Sequence, residues 1–170
     1  MSLPIIIAPD IRLQKKSSPV QNISDEIQII LMDILQSLHS NNAIGLCGMH
    51  VGIALQLVVI DLNGKSPVFM INPTIAQKSD ETIISDEGSV SFPGITVPIV
   101  RHKSVTIEYL DYNGSKKIEV MHDLMSICAQ HEIDQMNGIN ILNRFSPMQR
   151  DRYLKKVEKY VRIQGKNDTK

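Results

Sequence analysis

The sequence predicts an α+β fold in one domain, residues 1–165, with a flexible tail at 166–170. Three observations carry this expectation. Strand-like and helix-spaced segments are segregated along the chain rather than alternating, which favours antiparallel sheets over a parallel βαβ arrangement. Two Asn-Gly pairs, Asn63-Gly64 and Asn113-Gly114, each separate two β-rich runs, as a hairpin turn would. At 170 residues and 19.1 kDa, the chain is long enough for one buried core and falls in the size range of one domain.

The elements follow in order. Ser24 precedes an acidic first turn, and Ile30, Ile34, Leu35 and Leu38 share one face, so a helix is predicted that ends near Asn41-Asn42. Runs at 55–61 and 67–73 form the first expected hairpin, and those at 104–111 and 116–121 the second. Residues 87–98 are rich in Gly, Pro and Ser and read as a loop or irregular edge strand where a site could sit. Asp123 to Met136 has helical spacing, with Leu124, Ile127 and Cys128 apolar and Gly138 placed as a C-terminal cap. A last helix opens at Ser146-Pro147-Met148-Gln149, a capping box with proline at the first helical position.

Composition narrows the function classes. Apolar residues make up 42% and charged ones 21%, ordinary for a globular protein, so neither disorder nor a fibrous architecture is indicated. The run Ile5-Ile6-Ile7-Ala8 is too short to span a membrane and lacks the basic start of a signal peptide, so a cytoplasmic protein is expected. Cys47 and Cys128 have no paired spacing and read as reduced thiols. Acidic and basic residues balance at 18 each, which argues against DNA as a partner. The tail is different: from Arg144 onward nine basic residues face three acidic ones.

Chemistry concentrates on the central helix. In QHEIDQMNG, His131 and Gln135 lie four residues apart on one helical face with Glu132 beside them. A histidine at 135 would complete HExxH, in which two imidazoles hold a metal and the glutamate acts as general acid and base. On its own, a His-Glu pair on a helix is more often structural or solvated.

Its companions sharpen the reading. AIGLCGMHVGI at 43–53, EGSVSFPGI at 87–95 and NRFSPMQRDRYLKK at 143–156 surround that helix, and INP and YLDYNG lie between them. Together these resemble the peptide deformylases, metallohydrolases that remove the N-formyl group from new polypeptides. The resemblance covers nearly the whole chain. It implies antiparallel sheets packed around a central helix carrying HEIDQ, with an N-terminal and a C-terminal helix. It also implies Glu132 as acid and base, Leu46 and His50 at the oxyanion positions, and Gly45, Glu87, Gly88 and Arg101 for substrate binding. His102 and His122 have no motif partner and read as structural or solvated, and Cys128 and Met125 as core.

The metal positions depart from the pattern. The resemblance implies ligands at 89, 131 and 135, where this chain has Ser89, His131 and Gln135. His131 alone survives, because a serine hydroxyl stays protonated and an amide oxygen is a weak ligand. Ser89, His131 and Gln135 are expected to close on one another as a hydrogen-bonded cluster. A weakly held divalent metal or none is expected, where the resemblance implies iron, zinc or nickel. The main expectation is therefore a catalytically impaired deformylase-like protein that still binds formyl-methionyl peptide ends, or the ribosome through its basic C-terminal helix. The alternative is an active hydrolase, either with a rearranged metal shell using His50 or Cys47, or with a metal-free Ser89–His131 pair.

Overall fold

Leu57–Ile60 (β2 below) is buried along its whole length because it lies inside a five-stranded sheet covered on both faces. The structure is a computed structural model and describes residues 1–167. Its helices are α1 (Asp25–Ser40), α2 (Asp123–Met136) and α3 (Pro147–Asn167). Its strands are β1 (Gly45–Cys47), β2 (Leu57–Ile60), β3 (Val68–Lys78), β4 (Thr82–Glu87), β5 (Val97–His102), β6 (Ser104–Leu110) and β7 (Lys116–His122). The large sheet has the order β1-β2-β3-β6-β7, all antiparallel, and β4 pairs with β5 in a separate two-stranded sheet. This is the α+β layout expected, and both Asn-Gly pairs sit in hairpin connections.

Alternation along β2 divides the interior. Val58 and Ile60 join Met70, Ile107, Ala129 and Ile133 between the sheet and α2. Leu57 and Val59 point the other way, to Leu31, Ile34 and Leu38 of α1. A third cluster joins Val97 and Ile99 of β5 and Phe92 of the preceding loop to Val157 of α3 and to Ile6 and Leu13 of the N-terminal segment.

The ends of the helices behave as their sequences dictate. α2 closes in a Schellman motif, with Gly138 at φ +80° and the N–H groups of Gly138 and Ile139 bonded to the carbonyls of Gln135 and Asp134. A Cβ at Gly138 would also meet the Gln14 carbonyl oxygen at 2.6 Å, so this glycine lets the N-terminal segment cross the helix end. At α3 the capping box is closed: the Gln149 N–H donates to Ser146 Oγ at 3.3 Å, and the Ser146 N–H to Gln149 Oε1 at 3.0 Å. Ser146→Ala is expected to cost about 1 kcal/mol, or roughly 2–4 °C in thermal midpoint for a chain of this size. An unchanged midpoint would count against that cap.

The short β4 was not apparent in the sequence, because it is exposed over most of its length and shows no clean alternation, whereas β5 alternates but begins inside the segment read as a loop or irregular edge strand. Residues 88–96 between them form the expected loop. Of the expected tail, 166 and 167 end α3 and 168–170 lie outside the described residues. Among the described residues, no helix is long and apolar enough to cross a membrane.

Candidate metal and active site

Two glycines bring β1 against α2. A Cβ at Gly45 would stand 2.5 Å from Cys128 Sγ and 2.9 Å from Glu132 Oε1, and one at Gly48 would stand 2.6 Å from the Ile53 carbonyl oxygen. Only a bare backbone lets the strand touch the helix there and then turn at once into the single 3-10 turn Gly48–Val51. That turn buries His50 opposite Glu132. The loop 88–96 closes the other side, and the cleft between them measures about 510 Å³. Gly45, His50, Glu87, Gly88, Ser89, His131 and Glu132 all line it, as do the apolar Ile44, Phe92, Leu124 and Ile127.

His50 and Glu132 line the cleft and Cys47 lies behind that lining; all three are buried, with one ligand atom of each within 4.8 Å of the others. This donor set fits a divalent cation on two counts. Glu132 Oε2 is buried with no hydrogen-bond donor: His50 Nε2 lies 3.3 Å away but off the direction of a bond. A thiol, an imidazole and a carboxylate are also the ligand types that zinc and ferrous iron take. Burial, then the Glu132 charge, pushes the Cys47 thiol well above its usual pKa, so without a cation it stays protonated, whereas coordination would remove that proton. Burial works against the charged form of Glu132 as well. The charge and close side-chain approach of His50, then the charge of His131 and the Cys47 backbone, outweigh it and hold the carboxyl below the usual range.

His131 sits beside this group, its ring stacked on that of His50 at 6.4 Å between centroids. Its Nδ1 is 2.8 Å from Glu87 Oε2, and Nε2 has no hydrogen-bond partner among the described residues. Burial lowers its pKa, but the hydrogen bond to Glu87 and the nearby carboxylates more than reverse this.

Several expectations are corrected. Ser89, His131 and Gln135 do not close on one another, because each has a nearer partner. Gln135 Nε2 donates to the Leu13 carbonyl at 2.8 Å, Ser89 Oγ accepts from the Ser91 N–H at 3.3 Å, and His131 is committed to Glu87. No hydrogen bond joins Ser89 to His131, so the metal-free pair finds no support. Arg101 is absent from the cleft lining: its Nε and Nη2 donate to the two oxygens of Glu87 at 2.6 and 2.9 Å, and its Nη1 donates to Asp134. Leu46 is fully buried within β1 and does not line the cleft either.

Sequence reasoning weighed Cys47 and His50 only as an alternative shell and did not pair them with Glu132. Their spacing was the available signal, since a residue and its third neighbour can meet across one tight turn. Tyr160 was missed altogether. It lines the cleft from α3 with its ring against Gly94, where φ is +80° and a Cβ would come within 2.6 Å of that ring. Nothing in an exposed basic helix signals such a contact.

The comparisons with known proteins agree with this geometry. Residues 2–151 match the family model described as polypeptide deformylase. A peptide deformylase-like protein of Rickettsia conorii is 38% identical over 162 residues, covering 94% of this chain and 88% of the relative. A peptide deformylase of Rickettsia akari is 34% identical over 166 residues, covering 92% of this chain and 95% of the relative. The crystal structure of peptide deformylase from Ehrlichia chaffeensis aligns with a TM-score of 0.92 at 31% identity, covering 96% of this chain and 99% of that one. Together with the three clustered donors, these matches overturn the expectation of an impaired protein with a degenerate site. Ligand types missing at 89 and 135 are present at 47, 50 and 132. By sequence, by relatives and by fold, the chain belongs to the polypeptide deformylase family.

Proposed function

We propose that this protein is an active hydrolase that removes N-formyl groups from formyl-methionyl peptide ends, with a divalent metal held by Cys47, His50 and Glu132. The buried trio with its orphaned carboxylate oxygen carries this reading. The chemistry such a cation supplies when bound is Lewis-acid polarisation of a carbonyl and a more acidic water. Iron, zinc and nickel are the candidates.

The chain's own residues do the rest. Ile44, Phe92, Leu124 and Ile127 give the cleft apolar walls suited to an unbranched thioether side chain such as methionine. His131 holds and moves the proton at Nε2, since Glu87 fixes its other nitrogen and so sets the ring's orientation. Glu132 thereby leaves the acid–base role that the resemblance implied and serves as a ligand. Gly45 and Gly88 line the cleft where a peptide backbone would lie.

A cytoplasmic location and a single domain over 1–165 go with this reading. So does docking at the ribosome through α3, whose Arg152, Lys155, Lys156, Lys159 and Arg162 are exposed. The direct test is hydrolysis of a formyl-methionyl tripeptide by the metal-loaded protein, handled anaerobically to protect the thiol. Turnover that disappears in Glu132→Gln is expected. A metal-loaded protein without turnover would overturn the proposal.

A further inference from the structure

His50 has a second partner that neither the resemblance nor the metal group accounts for. Its Nδ1 lies 2.8 Å from Ser91 Oγ, and both residues are buried, at 1% and 0% exposure. We infer that Ser91 is a positioning residue: it occupies His50 Nδ1 and so reserves Nε2 for the floor of the cleft. The inference rests on the proposed metal role of His50.

Both residues are held in place by one segment. The Ile6 N–H donates to the His50 carbonyl and the Ala8 N–H to the Ser91 carbonyl, each at 2.8 Å. The N-terminal segment thus staples the 3-10 turn and the loop 88–96 side by side, with one residue, Ile7, between the two donors. The Ser91 N–H is also committed, to Ser89 Oγ at 3.3 Å. With both backbones pinned, the serine hydroxyl faces the ring as the one hydrogen-bonding partner of Nδ1 among the described residues. On the other edge of the ring, Nε2 is 3.3 Å from Glu132 Oε2.

An imidazole offers two nitrogens, and the hydrogen bond at one decides which the other can serve. With Nδ1–H donating to Ser91, the lone pair of Nε2 is left for a cation shared with Cys47 and Glu132. Without Ser91, Nδ1 is left buried and unpaired, and the ring is free to turn. Partners of this kind typically contribute 10–100-fold to metal affinity.

Zinc titration of the full chain, wild type against Ser91→Ala, tests this, with a thermal melt of each metal-free protein alongside. The expected result is a zinc Kd about 10–100-fold weaker in Ser91→Ala. Equal affinity for zinc in the two proteins overturns the inference and leaves the metal site standing. A wild type that binds no zinc overturns the metal site itself and Ser91's role with it. If Ser91→Ala fails to fold, ¹⁵N NMR of the zinc-loaded wild type decides. Zinc on Nε2 with a protonated, hydrogen-bonded Nδ1 supports the inference, and zinc on Nδ1 sinks it.

Discussion

His131→Asn lowers kcat/KM for a formyl-methionyl peptide by about 10²–10⁴-fold, the usual contribution of a positioned general acid–base group. The protein retains its metal. Both halves matter, because the resemblance alone makes His131 a metal ligand, and then the substitution would strip the metal together with the activity. In this structure His131 lies outside the close group of Cys47, His50 and Glu132 and is tied at Nδ1 to Glu87, as a histidine poised for proton transfer is. Activity and metal content measured on the same preparation separate the two assignments. Loss of metal in His131→Asn would return His131 to the ligand set.

The largest stability effect is expected at Arg101. It is 4% exposed and joins Glu87 of β4 to Asp134 of α2, while Arg144 also donates to Asp134 at 3.0 Å. Removing one partner from a buried ion network leaves the others desolvated and unpaired, at a cost of about 3–5 kcal/mol. Arg101→Met should therefore lower the melting temperature by roughly 6–20 °C, taking about 2–4 °C per kcal/mol at this size. Acid acts on the same network. Burial raises the Glu87 pKa, but the guanidinium of Arg101 and then His131 outweigh it and hold the carboxyl at about 2. A carboxyl whose folded pKa is depressed contributes stability that is full above its unfolded value, near 4.5, and is lost as pH falls toward 2. The wild type should lose stability across that window, and Arg101→Met less steeply. A melting temperature within 2 °C of the wild type would show that the network contributes little.

The fold was legible because its signals are local. Alternating apolar residues, two Asn-Gly turns, Gly138 and the Ser146 box each act within a few residues, and the structure shows all of them in use. The site was legible as a neighbourhood, since motifs at 43–53, 87–95 and 131–135 do meet in one cleft. What failed was the assignment of partners within it. Gln135 was assumed to face the metal position, but a carbonyl 122 residues away, on Leu13, takes its amide. Arg101 was a substrate contact by resemblance alone, and its two carboxylate partners, Glu87 and Asp134, come from different elements that the sequence does not bring together. Cys47 is not one of the positions 89, 131 and 135 at which the resemblance implies ligands, so its thiol was weighed only as a fallback ligand. Each miss concerns a long-range side-chain contact, which neither periodicity nor motif spacing encodes.

Metal content per chain tests the central claim most directly. The wild type, Cys47→Ala, His131→Asn and Ser89→Ala would be purified and reconstituted under identical anaerobic conditions and their bound divalent metal quantified. The account predicts one metal per chain in the wild type, in Ser89→Ala and in His131→Asn, and loss of that metal in Cys47→Ala. A wild type without metal, or a metal that survives Cys47→Ala and disappears with Ser89 or His131, would contradict it.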